Sequence, residues 1–356
     1  MEVIMKSSKV KEHLYKCLQG GVVPFLIGGT GVGKSAIVRS LAEQLADDKE
    51  IVSKINPNAK QFGYIDFRLS LYESVDLGGL PYINEKNEQK RAFLGNLPVS
   101  GDGVLFFDEY AQSHPSVQSI VAQLIDERKL GEYELPEGWR IVCASNRASD
   151  RASSSKLPSQ VISRLSLIEF DVDFDDWFSW AVANKVNPTV LGYLQFQPQA
   201  LEQFDAKIIE PQPCPRQWVN LSNILNAVGI DDEVRSISKT LVGVEQSLEF
   251  ENFCKLSKDV PNILDILKGK DVEVVSDSEV GLCYATVVAL NQRIADASSS
   301  DIEDYFENGL TYILKLKTRE FAVFFVRQCA ERRQEVVNTS AYAHFKINNA
   351  DLEYLL

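Results

Sequence analysis

Short apolar runs alternate with amphipathic stretches over the first half of the chain, and after Phe174 the pattern turns to helices alone. Five runs have the length and the β-branched and aromatic content of buried strands: residues 22–28, 62–69, 103–108, 139–146 and 165–172. Helical periodicity predicts helices over 34–47 and 115–127, with an amphipathic helix around 10–18 ahead of the first strand. Strands alternating with helices predict a five-stranded parallel sheet covered by helices, an α/β fold. Two polar-centred stretches, YINEKNEQKRAFLG tipped near Asn87 and RKLGEYELPEGWRIV, read as β-hairpins inserted into that pattern. Beyond Phe174, FDDWFSWAVANK and PTVLGYLQF are helices separated by Asn187-Pro188, and the three prolines of 211–217 form a rigid lead into WVNLSNILNAV. Three segments result: an α/β domain over 1–174, a helical segment over 175–255, and an acidic helical extension over 256–356 without a motif.

Composition narrows the class. The 356 residues are 45% hydrophobic and 24% charged, ordinary for a globular protein and incompatible with disorder. No apolar run approaches the ~18 residues of a membrane span, and the first twenty residues lack a signal peptide's apolar core. Six scattered cysteines without a CxxC pair read as reduced thiols of a cytoplasmic protein. Three unpaired histidines argue against a zinc enzyme. The net charge is −13, and it is concentrated late: residues 1–173 hold 20 basic and 23 acidic side chains, residues 174–356 hold 17 and 27. That balance disfavours a nucleic-acid partner.

The chemistry lies in the first half. Gly28, Gly29, Thr30, Gly31, Val32, Gly33, Lys34 and Ser35 spell GxxxxGK[ST] between a strand and a helix, with Ala36 following in the first turn. Small residues let successive backbone N–H groups turn around a phosphate, and the helix start adds its positive dipole end. Lys34 would reach the β- and γ-phosphates of a nucleotide, and the Ser35 hydroxyl would bind Mg2+. The third apolar run ends in Asp108-Glu109: the first acid suits the Mg2+ shell, the second suits polarising an attacking water. Asn146 ends the fourth run, where a neutral amide can hold that water.

In this order Gly28 to Ser35, Phe107-Asp108-Glu109, Asn146, Ser163-Arg164-Leu165 and Pro215-Arg216-Gln217-Trp218 resemble the motif set of AAA+ ATPases, over roughly residues 1–255. The segment RLSLYESVDLGGLP is similar to that of the MoxR branch, a helix-2-insert clade. The resemblance implies a P-loop NTPase sheet domain, an all-α lid with Arg216 as its nucleotide sensor, and a homo-oligomeric, usually hexameric, ring binding ATP and Mg2+ at subunit junctions. Arg164 would act in trans on the neighbour's γ-phosphate, with Arg147 and Arg151 as rival fingers. It further implies a chaperone-like ATPase that remodels a protein client, with a von Willebrand factor A domain protein as partner. Competing expectations are a DNA-handling motor, a GTP-using relative, and a nucleotide-controlled scaffold with little turnover.

Overall fold

The computed structural model describes residues 6–93, 95–147, 162–205, 207–230, 233–256 and 259–349. They form two compact units, residues 1–173 and 174–356. Among its described residues the first holds ten strands: β1 (Val23–Ile27), β2 (Glu50–Val52), β3 (Gln61–Arg68), β4 (Leu80–Ile83), β5 (Gln89–Ala92), β6 (Gly103–Asp108), β7 (Lys129–Leu130), β8 (Tyr133–Glu134), β9 (Trp139–Ser145) and β10 (Leu165–Glu169). Its described helices are α1 (Ser7–Gln19), α2 (Lys34–Ala46), α3 (Ser74–Gly78) and α4 (Pro115–Glu127).

The main sheet is parallel throughout, in the order β10-β1-β9-β6-β3-β2. It has six strands where the apolar pattern predicts five. The extra one, β2, is a three-residue edge pairing Glu50 to Val52 with Gln61 to Gly63. Three residues with a single neighbour bury too little to leave a periodic signal.

Strand alternation sends successive side chains to opposite faces. Leu26, Val104, Phe106, Val142 and Ala144 pack under α1 and α2, whereas Phe25, Leu105, Phe107, Ile141 and Cys143 pack under α4. Because β1, β9 and β6 are neighbours, their C-terminal ends lie side by side, the edge where open parallel sheets bind ligands. At the other end of the sheet Trp139 fills the space that Gly63 and Gly103 leave. A Cβ on Gly103 would strike both the Gly63 carbonyl oxygen and the Trp139 ring. Gly103→Ala should therefore destabilise the domain by about 3 kcal/mol, overpacking against backbone that cannot yield. Urea unfolding checks this, and an unchanged midpoint would contradict it.

Both inserted hairpins form. In the β4–β5 hairpin Leu80 faces Ala92 and Ile83 faces Gln89, with Asn87 at the turn in a left-handed conformation (φ 61°). Leu80, Tyr82 and Ile83 are exposed. The short β7–β8 hairpin turns at Gly131 (φ 61°), and Lys90 of the first hairpin pairs with Glu132 of the second.

The second unit is helical. Tyr193, Trp218, Phe250 and Phe253 form its aromatic centre, with ring centroids 5.4 Å apart for Tyr193–Trp218 and for Tyr193–Phe250. The buried Trp218 indole donates to the Ala200 carbonyl at 2.8 Å. Helix Pro188–Phe196 packs on Val280–Ala295, with Gly192 against Val288, so the helices on either side of residue 256 share one body. Among the described residues no helix is long and apolar enough to cross a membrane.

Candidate functional site

The loop after β1 is built around glycines that the geometry requires. Gly31 and Gly33 have φ of 80° and 102°, in the left-handed region that L side chains rarely adopt. Gly28 is closely confined, for a Cβ there would lie 3.1 Å from the Phe170 carbonyl oxygen. Val32 is buried and anchors the loop in the core beneath α2. Gly33 is the N-cap of α2 and supplies no side chain to cap it, so the first-turn N–H groups of Lys34, Ser35 and Ala36 face outward from the helix start. Such a start is an anion site with its dipole aligned.

Lys34 is 7% exposed. Its ammonium donates to the carbonyls of Gly28 at 2.9 Å and Gly29 at 2.8 Å, and to Asn146 Oδ1 at 2.6 Å. The adjacent Ser35 hydroxyl donates to Asp108 Oδ2 at 3.3 Å. Two consecutive residues of α2 thus reach the ends of β9 and β6. Glu109 follows Asp108 with φ 56°, a left-handed turn for a residue with a side chain, and its N–H donates to Asp108 Oδ1 at 2.8 Å. The Glu109 carboxylate accepts from the Ser70 hydroxyl, beyond the end of β3. Asp66, also on β3, is pushed above the usual carboxylate range by burial first and by the neighbouring Asp108 charge second. Asp108 sets negative charge beside the Ser35 hydroxyl, and Asp66 and Glu109 lie close enough to Asp108 for their charges to interact, a setting that favours a cation.

Among the described residues no group of three or more His, Cys, Asp or Glu side chains could hold a metal by itself. A hydroxyl and one carboxylate 3.3 Å apart suit an ion that takes one or two protein ligands and completes its shell with phosphate oxygens and water. The residues present fit Mg2+.

The arginines differ in their engagement. Arg147 is committed to the end of the sheet: it contacts Glu169 at 2.9 Å, Asp171 at 3.0 Å and the Phe170 carbonyl at 3.2 Å. Arg164, just before β10, is 40% exposed and pairs with Asp126 of α4 at 3.0 Å. Arg151 lies outside the described residues. Arg216 belongs to the second unit, exposed in the first turn of helix Pro215–Val228.

Ser70 and Asp66 were not among the site residues that the motifs supply. The register was the available signal. β3 runs beside β6 with Asp66 opposite Phe106 and Arg68 opposite Asp108, which carries the residues after β3 to the Asp-Glu pair.

Residues 24–172 match the family described as "ATPase family associated with various cellular activities (AAA)". The chain is similar to the chaperone protein ClpB of Porphyromonas gingivalis, at 30% identity over 130 residues, 35% of this chain and 14% of that protein. It is also similar to ClpB of Rickettsia felis, at 24% identity over 231 residues, 63% of this chain and 22% of that protein. The chain thus spans less than a quarter of the length of these relatives. Among solved structures it is similar to NtrX from Brucella abortus in complex with ADP, with a TM-score of 0.41, 13% identity, and 98% of this chain and 68% of that one covered. A variant of RuvB from Thermotoga maritima gives a TM-score of 0.36 at 16% identity, covering 78% and 82%.

Proposed function

We propose, from the match of residues 24–172 to the AAA ATPase family, that the chain hydrolyses ATP with Mg2+ in a homo-oligomeric ring and uses the cycle to remodel a protein client. The observation that carries this reading is the meeting of Lys34, Ser35, Asp108, Glu109 and Asn146 at the ends of three neighbouring strands. The named chaperones among its relatives support a protein as the client. The RLSLYESVDLGGLP segment and the two hairpins support a MoxR-type ring, in which the hairpins would touch the client and a von Willebrand factor A domain protein would be its partner.

The chemistry is positioning and charge. The loop amides and Lys34 would hold the β- and γ-phosphates, Lys34 exchanging its carbonyl and Asn146 oxygens for phosphoryl ones. Ser35 and Asp108 would hold Mg2+, which when bound neutralises charge on the phosphate oxygens. Glu109 leaves the Ser70 hydroxyl to polarise the attacking water, and Asn146 orients it. Arg164 is the arginine best suited to act on a neighbouring subunit: it is half-exposed and held by one carboxylate, whereas Arg147 is already engaged by two. Its always-charged guanidinium can contact two phosphoryl oxygens, worth about 10³–10⁵-fold in turnover in phosphoryl transfer. Arg216 would contact the nucleotide from a lid over 175–255, with residues 256–356 as an extension packed onto that lid.

Steady-state turnover of the full chain with Mg-ATP tests this. Specific activity should rise with protein concentration as rings assemble. Mixing Arg164→Ala with Lys34→Ala subunits should restore part of the activity that each lacks alone. No turnover at any concentration would overturn hydrolysis, and no rescue at any ratio would overturn the trans arginine.

A further inference from the structure

We infer that Gln112 is a positioning residue for the hydrolysis step, a clamp tying the strand end that carries Asn146 to the turn that carries Glu109. This rests on the reading of Asn146 and Glu109 given above. Gln112 closes the single 3-10 turn Tyr110–Gln112 directly after Glu109, and its N–H donates to the Glu109 carbonyl at 3.1 Å. Its side-chain Oε1 accepts from the Ser145 hydroxyl at 3.1 Å, a single O–H that is shared with the Asn146 carbonyl at 3.2 Å. Ser145 is 2% exposed, is the last residue of β9, and directly precedes Asn146.

The sides of the sheet give this contact its meaning. Asn146 meets Lys34 on the α2 face. Ser145, one residue earlier, shares its parity with Cys143 and Ile141, which pack on the α4 face. Beyond the backbone ladder to β1, where the Gly28 N–H donates to the Ser145 carbonyl at 3.4 Å, the end of β9 is held by side chains from both sides, by Lys34 in front and by Gln112 behind. Once Lys34 turns to phosphate oxygens, the front hold on Asn146 is released. The Gln112–Ser145 bond is then the side-chain tie that remains between the β9 end and the Glu109 turn, added to the backbone ladder.

A second observation supports a polar role for this amide. Gln112 Nε2 is buried with no hydrogen-bond partner. A leucine or methionine would fill similar space without stranding a donor, a defect that native interiors seldom tolerate. The amide is accounted for by the work of its oxygen.

The experiment compares Gln112→Leu, Ser145→Ala and the double variant in the full chain, measuring kcat and KM for ATP together with the thermal unfolding midpoint. Each single change should lower kcat by about 10- to 100-fold, the scale of a misplaced catalytic group, and leave KM for ATP within about twofold. The double variant should lose no more than the worse single one, because both act through one bond. Ser145→Ala, a one-atom deletion, keeps the test valid should Gln112→Leu fail to fold. Unchanged kcat, independent additive losses, or a raised KM at constant kcat would overturn the clamp. A wild-type chain without turnover would instead overturn the ATPase reading on which the clamp depends, so the two failures are distinct.

Discussion

Replacing Glu109 with Gln should leave ATP bound and almost unhydrolysed, with turnover down by about 10²–10⁴-fold, the usual contribution of a positioned general base. The substitution keeps the shape and removes the charge. A glutamine oxygen can still accept from the Ser70 hydroxyl, so the left-handed turn at residue 109 and its neighbours should persist. The amide is far less able to draw a proton from water. Loop, Lys34 and Ser35 are untouched, so nucleotide affinity should stay near that of the wild type. Single-turnover assays with labelled ATP, followed by gel filtration, give both quantities at once. Retained hydrolysis would remove Glu109 from its role, whereas lost binding would mean that the carboxylate serves the site's structure instead. The trapped protein is also the reagent for recovering the client from native extract. Recovery of a protein with a von Willebrand factor A domain would support the proposed partner, and nuclease-sensitive nucleic acid would favour a DNA motor.

Lys34→Ala should act one step earlier, weakening ATP binding by about 10- to 100-fold, the range for losing a charge-assisted hydrogen bond. Its ammonium is buried and bound to the Gly28 and Gly29 carbonyls and to Asn146, so removal also strips a donor from three oxygens. The loop should lose definition along with its charge. Calorimetric titration with ATP measures the first effect, and far-ultraviolet circular dichroism verifies that the domain has folded. Affinity equal to wild type in a folded variant would overturn the phosphate-loop assignment.

These effects can be stated by residue number because the loop was legible as a string. Its glycines answer to local backbone needs: Gly31 and Gly33 sit at positive φ, and a motif records such needs directly. The apolar strands were legible for a similar reason, since β6 is buried on both faces and reads as an unbroken run, Gly-Val-Leu-Phe-Phe. Other features depend on distant partners and left no such trace. The hydrogen bond from Ser70 to Glu109 spans 39 residues and exists because β3 and β6 are neighbours. The Gln112–Ser145 contact spans 33, and the pairing of Arg164 with Asp126 depends on where α4 ends. Serine and glutamine are also ordinary surface residues, so neither stood out as a residue type. In the second unit, periodicity gave individual helices but not their partners, because which faces meet is decided by packing such as Gly192 against Val288.

The β4–β5 hairpin raises a question of solubility. It is a two-stranded ribbon with Leu80, Tyr82 and Ile83 outward, the kind of edge along which chains stack into insoluble sheets. Asn84 donates to the Glu88 carbonyl, so by the antiparallel alternation the backbone groups of residues 81 and 83 point away from β5. Position 81 is proline and has no N–H to offer. A foreign strand approaching that edge finds one donor where it needs two, so the β4 edge, though oily, is a poor template for a further strand.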